Sequence, residues 1–247
     1  MKKTLLSLVL LVAIIAPWTS RSQSLAEYAV LVDTVEFQSI VATGTQLSFT
    51  TLDNGYATFQ VPFAFHFGGS SFPANFSVAA SANGFLYLNA TSTSGSTAST
   101  TGNQRVINPL LNTRGHLGRY EGVSAAYTQM CVEPGSGDTC FVIEYHGLGT
   151  YNSPYGFYSY QVWLYPNGGI DIIYDSVVNG TSAVYRCFLR DGAHADNFFL
   201  SGSWGNPNVG SSVVNMSTNP LPCHGLRIHF DRPYIPVPVP MPLWPRL

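Results

Sequence analysis

Glu144, Asp171 and Asp175 are the carboxylates of this chain that could do acid–base work. Each lies in a run of alternating apolar and polar residues, so Glu144 on one strand could face Asp171 or Asp175 on another, as the two carboxylates of a glycosidase do. Asp171 and Asp175 share a strand face with Ile173 between them, and the E-x-D-x-x-E spacing of jelly-roll glycosidases is absent. A second grouping, Asp191-Gly-Ala-His194-Ala-Asp196, carries three metal-ligand types within six residues. It reads as an inter-strand loop, where Asp and Gly are ordinary turn residues. Calcium could draw on Asp53-Asn54-Gly55 or on Asp191 and Asp196, although neither segment has the pattern of an EF-hand loop. His146 shares a strand face with Val142 and Glu144 and reads as a surface partner of Glu144. No G-x-S-x-G elbow occurs, since Ser201-Gly-Ser-Trp-Gly205 lacks the first glycine in register. The expectation is a protein that is not an enzyme and holds no metal or other cofactor, calcium being the one cation with candidate donors.

Binding chemistry has better material. Tyr151, Tyr155, Phe157, Tyr158, Trp163 and Trp204 supply aromatic faces on which sugar rings can stack, with asparagines to bond hydroxyls. Aromatics at this density also serve as core packing. The candidates for a ligand platform are Tyr151, Asn152 and Tyr155, beside Pro154, together with Trp204.

The four cysteines, Cys131, Cys140, Cys187 and Cys223, fit no zinc-finger spacing. They are even in number in an exported chain, so disulfides are expected. Three pairings exist; Cys131–Cys140, across a Pro-Gly-Ser-Gly-Asp turn, and Cys187–Cys223 are favoured. Such bridges would contribute roughly 3 and 4 kcal/mol by loop entropy.

Export is inferred from residues 1–22, which read as a signal peptide: Lys2 and Lys3, an apolar core from Leu5 to Ala16, Pro17, then Ser20-Arg21-Ser22 before a cut at Gln23. The apolar run is shorter than the roughly 20 residues a bilayer requires. Both lysines fall in this segment, leaving eight arginines against thirteen acids. This excludes Schiff-base and P-loop chemistry and argues against nucleic acid, which needs a basic footprint. An extracellular protein or a glycan is the expected partner.

Positioning these residues requires strands. Period-two alternation marks residues 36–41, 46–50, 57–67, 76–88, 124–133, 140–151, 157–165, 169–177, 183–189, 197–203 and 225–230. Turn chemistry at Asp53-Asn54-Gly55, Gly68-Gly69, Pro166-Asn167-Gly168-Gly169 and Asn179-Gly180 separates them. Asn83-Gly84 interrupts one run and predicts a bulge or tight turn. Residues 158–165 are apolar on both faces, which predicts a central strand. A short helix is expected near residues 24–32. Residues 90–102 and 206–219 read as loops, the latter with a part that could pair around Val213 and Val214. The signal is thus followed by one all-β antiparallel sandwich, jelly-roll-like, over 23–231 and a proline-rich tail over 232–247. The tail is expected to lie extended as a linker or terminus.

The order of motifs carries a family resemblance. An F-x-F-x-F-G-G block precedes Gly-Phe-Leu-Tyr-Leu-Asn at 84–89; Ile107-Asn108-Pro109-Leu110-Leu111 follows, then FVIEYHGLGTYN at 141–152 and YSYQVWLYPNGGIDIIYDSV at 158–177. This resembles the nidogen-like β-sandwich modules of secreted and surface bacterial proteins, especially those at the N terminus of type IX secretion cargo. Asn112 stands where such modules often carry an acid and Tyr145 where tryptophan is common. The resemblance implies an extracellular or cell-surface module for adhesion or assembly, without enzyme chemistry.

Overall fold

A computed structural model describes residues 24–92, 98–110, 115–116, 125–150, 153–178, 185–216 and 221–232. The expected signal segment, the expected turn at Asn179-Gly180, Asn112, Tyr151, Asn152 and the residues beyond 232 lie outside these.

Seventeen strands form among the described residues: β1 (Ala29–Thr34), β2 (Thr45–Gln46), β3 (Tyr56–Val61), β4 (Phe65–Phe67), β5 (Ser70–Phe72), β6 (Phe76–Ser81), β7 (Leu86–Leu88), β8 (Arg105–Asn108), β9 (Gly115–His116), β10 (Ala125–Val132), β11 (Thr139–Thr150), β12 (Ser153–Leu164), β13 (Ile170–Val178), β14 (Phe188–Asp191), β15 (Asp196–Ser203), β16 (Asn206–Gly210) and β17 (Leu226–Asp231). They make two antiparallel layers. The long sheet runs β1-β17-β13-β12-β11-β10-β2, with β9 also on β11; the short sheet runs β16-β15-β14-β8-β7-β6-β3; β4 and β5 form a separate ribbon. The all-β sandwich expected from the alternation is the fold observed.

The core lies between the layers. β12 is central, as its two apolar faces predict: Tyr158, Tyr160, Val162 and Leu164 enter the core, while Gln161, Trp163 and Tyr165 face outward. Three tyrosines of the long sheet reach across to main-chain carbonyls beside the short sheet. Tyr145 Oη donates to Ser81 O at 2.8 Å, Tyr160 Oη to Gly84 O at 2.6 Å and Tyr174 Oη to Pro109 O at 2.6 Å. Burial raises all three phenol pKa values, so the hydroxyls stay neutral donors. The Asn83-Gly84 break is a tight turn between β6 and β7. Gly84 has φ +86°, and a Cβ there would stand 2.4 Å from Tyr160 Oη and from Leu148 Cδ2.

Several boundaries differ from the sequence reading. Residues 24–32 hold only a 3-10 turn, Leu25–Glu27, N-capped by Ser24 Oγ; β1 follows at once, as β-branched valines favour. Residues 36–41 form no strand, since Ile40 turns back to bond Gly44 and the segment passes over the outer face of the long sheet. Pro62 cannot donate to a ladder, and the expected 57–67 strand splits into β3 and β4. In 206–219 the paired parts are β16 and a bridge from Met216 to Gly202, not the two valines. Strand β8 was hidden by its polar flanks.

Candidate functional site

The outer face of the long sheet gathers the chemistry-bearing side chains. Its floor comes from β17, β13, β12 and β11, whose odd or even positions alternate between core and this face. Glu144 opposes Gln161, and Gln161 opposes Ile173; one pair further along, Val142, Trp163, Asp171 and His229 stand in a row. Residues 35–44 cross above them as a strap.

Glu144 anchors that strap. It is fully buried, and its Oε1 accepts from Ser39 Oγ at 2.7 Å while Oε2 accepts from Ile40 N at 2.7 Å and Gln161 Nε2 at 2.8 Å. His146 Nδ1 lies 3.7 Å from Oε1, so the expected His–Glu partnership is present, but its carboxylate is buried and not at the surface. Gln161 bonds Gln38 O at 2.8 Å and accepts from Trp163 Nε1 at 2.8 Å. This fixes the indole.

Asp171 anchors a second network. It is fully buried, accepts from Tyr165 Oη at 2.8 Å, and makes a close contact with His229 Nδ1. Arg227 Nη1 stands 3.5 Å away. The same guanidinium grips Asp33 with two bonds of 2.8 and 2.6 Å and donates to Glu133 Oε1 at 2.8 Å. Hydrogen bonding to Arg227 lowers the Asp33 pKa, and the Asp33 bonds raise that of Arg227. The Asp171 contact raises the His229 pKa against the effect of burial. Burial, and then the Asp171 charge, raise that of Tyr165.

Between these networks opens a cleft of about 250 Å³. Val35, Pro134, Trp163 and Ile173 make its apolar walls; Glu36, Gln38, Glu133 and Arg227 supply polar groups.

The acid pair considered from sequence is not assembled. Glu144 and Asp171 are two strands and one residue pair apart, about 12 Å between Cα atoms by sheet spacing. Both carboxylates are occupied by donors of the chain. Asp175 bonds His224 at 2.8 Å instead.

The Asp191–Asp196 segment closes the β14–β15 hairpin. Asp191 accepts from Ser70 Oγ at 2.9 Å and meets His194 Nδ1 at 2.8 Å, whereas Asp196 bonds Ser24 Oγ at 2.9 Å and the Leu25 amide. The two carboxylates thus hold different segments. Among the described residues no group of three His, Cys, Asp or Glu side chains is arranged to hold a metal.

Of the expected ligand platform, Tyr151 and Asn152 lie outside the described residues, and Tyr155 belongs to β12 by its backbone alone. Trp204 is a correction. It is 2 % exposed and packs edge-on to Tyr174 and Tyr185, with centroids at 5.4 and 6.4 Å. Its apolar surface is spent on the core and presents no face to a sugar.

The cysteines also differ from expectation, for all four are free thiols. Cys131 and Cys140 are direct cross-strand partners on β10 and β11, as the turn between them predicts, and Cys140 Sγ lies 3.6 Å from Cys131 O. Cys187 and Cys223 are unlike each other: Cys187 is buried beside the Tyr174 hydroxyl at 3.9 Å, and Cys223 is exposed.

Sequence reasoning missed Arg227 and its partners Asp33 and Glu133. The signal was there in Leu226–Asp231, whose alternation places Arg227, His229 and Asp231 on one face.

A family model described as NIDO related matches residues 27–232. This chain belongs to the NIDO-related family. The match spans both sheets, from the 3-10 turn to the end of β17. No curated protein and no solved structure matches the chain. NIDO-related domains are extracellular-type modules. In this NIDO-related chain, no helix among the described residues is long and apolar enough to cross a membrane.

Proposed function

We propose that this chain is a secreted, non-catalytic module that mediates adhesion or assembly outside the cell, and that the strapped outer face of the long sheet is its contact surface. One observation carries the reading. Glu144 and Asp171, the buried acids of that face, accept bonds from four side chains and an amide of the chain itself, and the Arg227 guanidinium stands 3.5 Å from Asp171. Acids used in this way build a surface; a general acid needs a proton it can give to substrate. The cleft beside them gives the surface relief.

Two assays on the full chain test this. Saturable binding of the labelled protein to cell surfaces or extracellular matrix, with no release of reducing sugar from polysaccharides, is the expected result. Glycoside hydrolysis that disappears in Glu144→Gln would overturn it.

A further inference from the structure

The cleft between the strap and β13 has a charge pattern that selects its occupant. Its apolar walls, Val35, Pro134, Trp163 and Ile173, offer a dry slot with one aromatic side. Glu36 and Glu133 stand at the same slot, and Asp33 and Asp171 flank its Arg227. Three carboxylates thus meet one guanidinium, Arg227, with the His229 imidazole on Asp171, and Glu36 adds a fourth acid to the slot. The guanidinium is already committed: Asp33 takes it at two points, Glu133 at a third, and Asp171 stands 3.5 Å from Nη1. An anionic ligand would have to displace a chelating carboxylate to reach it. Glu36, by contrast, is exposed at the mouth.

We propose that this cleft receives the basic side chain, arginine or lysine, of an extracellular protein partner. Such a side chain is an apolar stem with a cationic head. The stem matches the Val35, Ile173 and Trp163 walls, and the head matches the exposed Glu36, while Glu133 keeps Oε1 on Arg227 and Oε2 on Ser136 Oγ and adds only its charge. The indole is held in place by its bond to Gln161 Oε1 at 2.8 Å, so the slot is formed before a ligand arrives. A volume near 250 Å³ admits one side chain and not a folded segment. The inference rests on the adhesion or assembly reading and specifies the chemistry of its partner.

The test is calorimetric titration of the full chain with acetyl-(Gly-Arg)4-amide and with its citrulline counterpart, which keeps the shape and removes the charge. The arginine peptide is expected to bind at least about tenfold tighter, and to weaken as salt rises. Glu36→Gln should weaken it about threefold to fivefold, as expected for one exposed charge pair. Glu27→Gln, on the 3-10 turn away from the cleft, should leave it unchanged. Equal affinity for the two peptides, no binding of either, or an equal loss in Glu27→Gln and Glu36→Gln would each overturn the proposal. If the peptides fail while the chain still binds surfaces, the ligand assignment falls alone; if surface binding also fails, both readings fall.

Discussion

Asp171 and His229 are direct partners across β13 and β17, and the imidazole Nδ1 faces the carboxylate Oδ1. This contact raises the His229 pKa above its usual value near 6.5. A group with a raised folded pKa adds stability that is fully present below its unfolded pKa and is lost as pH rises through the folded one. The melting temperature should therefore carry a component that falls from about pH 6.5 upward. Melting curves of the wild type and His229→Gln across pH 5–9 check it: the variant should lack that component, and identical profiles would refute the assignment.

Glu144 is the acceptor on which the strap hangs. Glu144→Ala leaves the Ile40 amide, the Ser39 hydroxyl and the Gln161 amide short of a partner. A loss of about 3–5 kcal/mol is expected, as for other buried charged acceptors. Hydrogen exchange supplies a local readout. The Ile40 amide should lose its protection in the variant, and a protected Ile40 amide would show that the strap is held some other way.

Gly84 has no room for a methyl group. Its φ of +86° and the 2.4 Å approach to Tyr160 Oη and Leu148 Cδ2 act in the same direction. Gly84→Ala should destabilise by about 2–4 kcal/mol, combining backbone strain with the broken Tyr160 bond. Chemical denaturation measures it, and an unchanged midpoint would contradict the geometry.

The four thiols should react in a fixed order. Cys223 is exposed and should be alkylated first; Cys187 is buried, its pKa pushed up to about 12, and should resist until unfolding. Under oxidised glutathione, Cys131 and Cys140 should cross-link with each other, since register sets them opposite. Peptide mapping by mass spectrometry reads both results. A Cys187–Cys223 peptide in the native protein would be inconsistent with the burial of one and the exposure of the other.

Much of the fold was legible because alternation is a local signal. The two-faced pattern at 158–165 marked β12 as central, and Pro166-Asn167-Gly168-Gly169 joins β12 to β13 as read. The strap was not legible, because Glu36 to Val41 alternates like a strand and only the distant Glu144 carboxylate decides where its amides bond. Trp204 was misread for a related reason: in sequence it sits among Gly and Ser, and only the partners that surround it, Tyr174 and Tyr185, reveal a core residue. The site depended on Arg227, a lone basic residue whose three acidic partners come from positions 33, 133 and 171. No window on the sequence brings those together.

The three phenol bridges from Tyr145, Tyr160 and Tyr174 have a mechanical consequence. Sliding one layer past the other would break all of them together and strand each hydroxyl in a dry interior. Force applied along the strands is therefore shared among several attachments and not borne by one at a time. A molecule tethered between two bodies under flow gains tensile toughness from that arrangement.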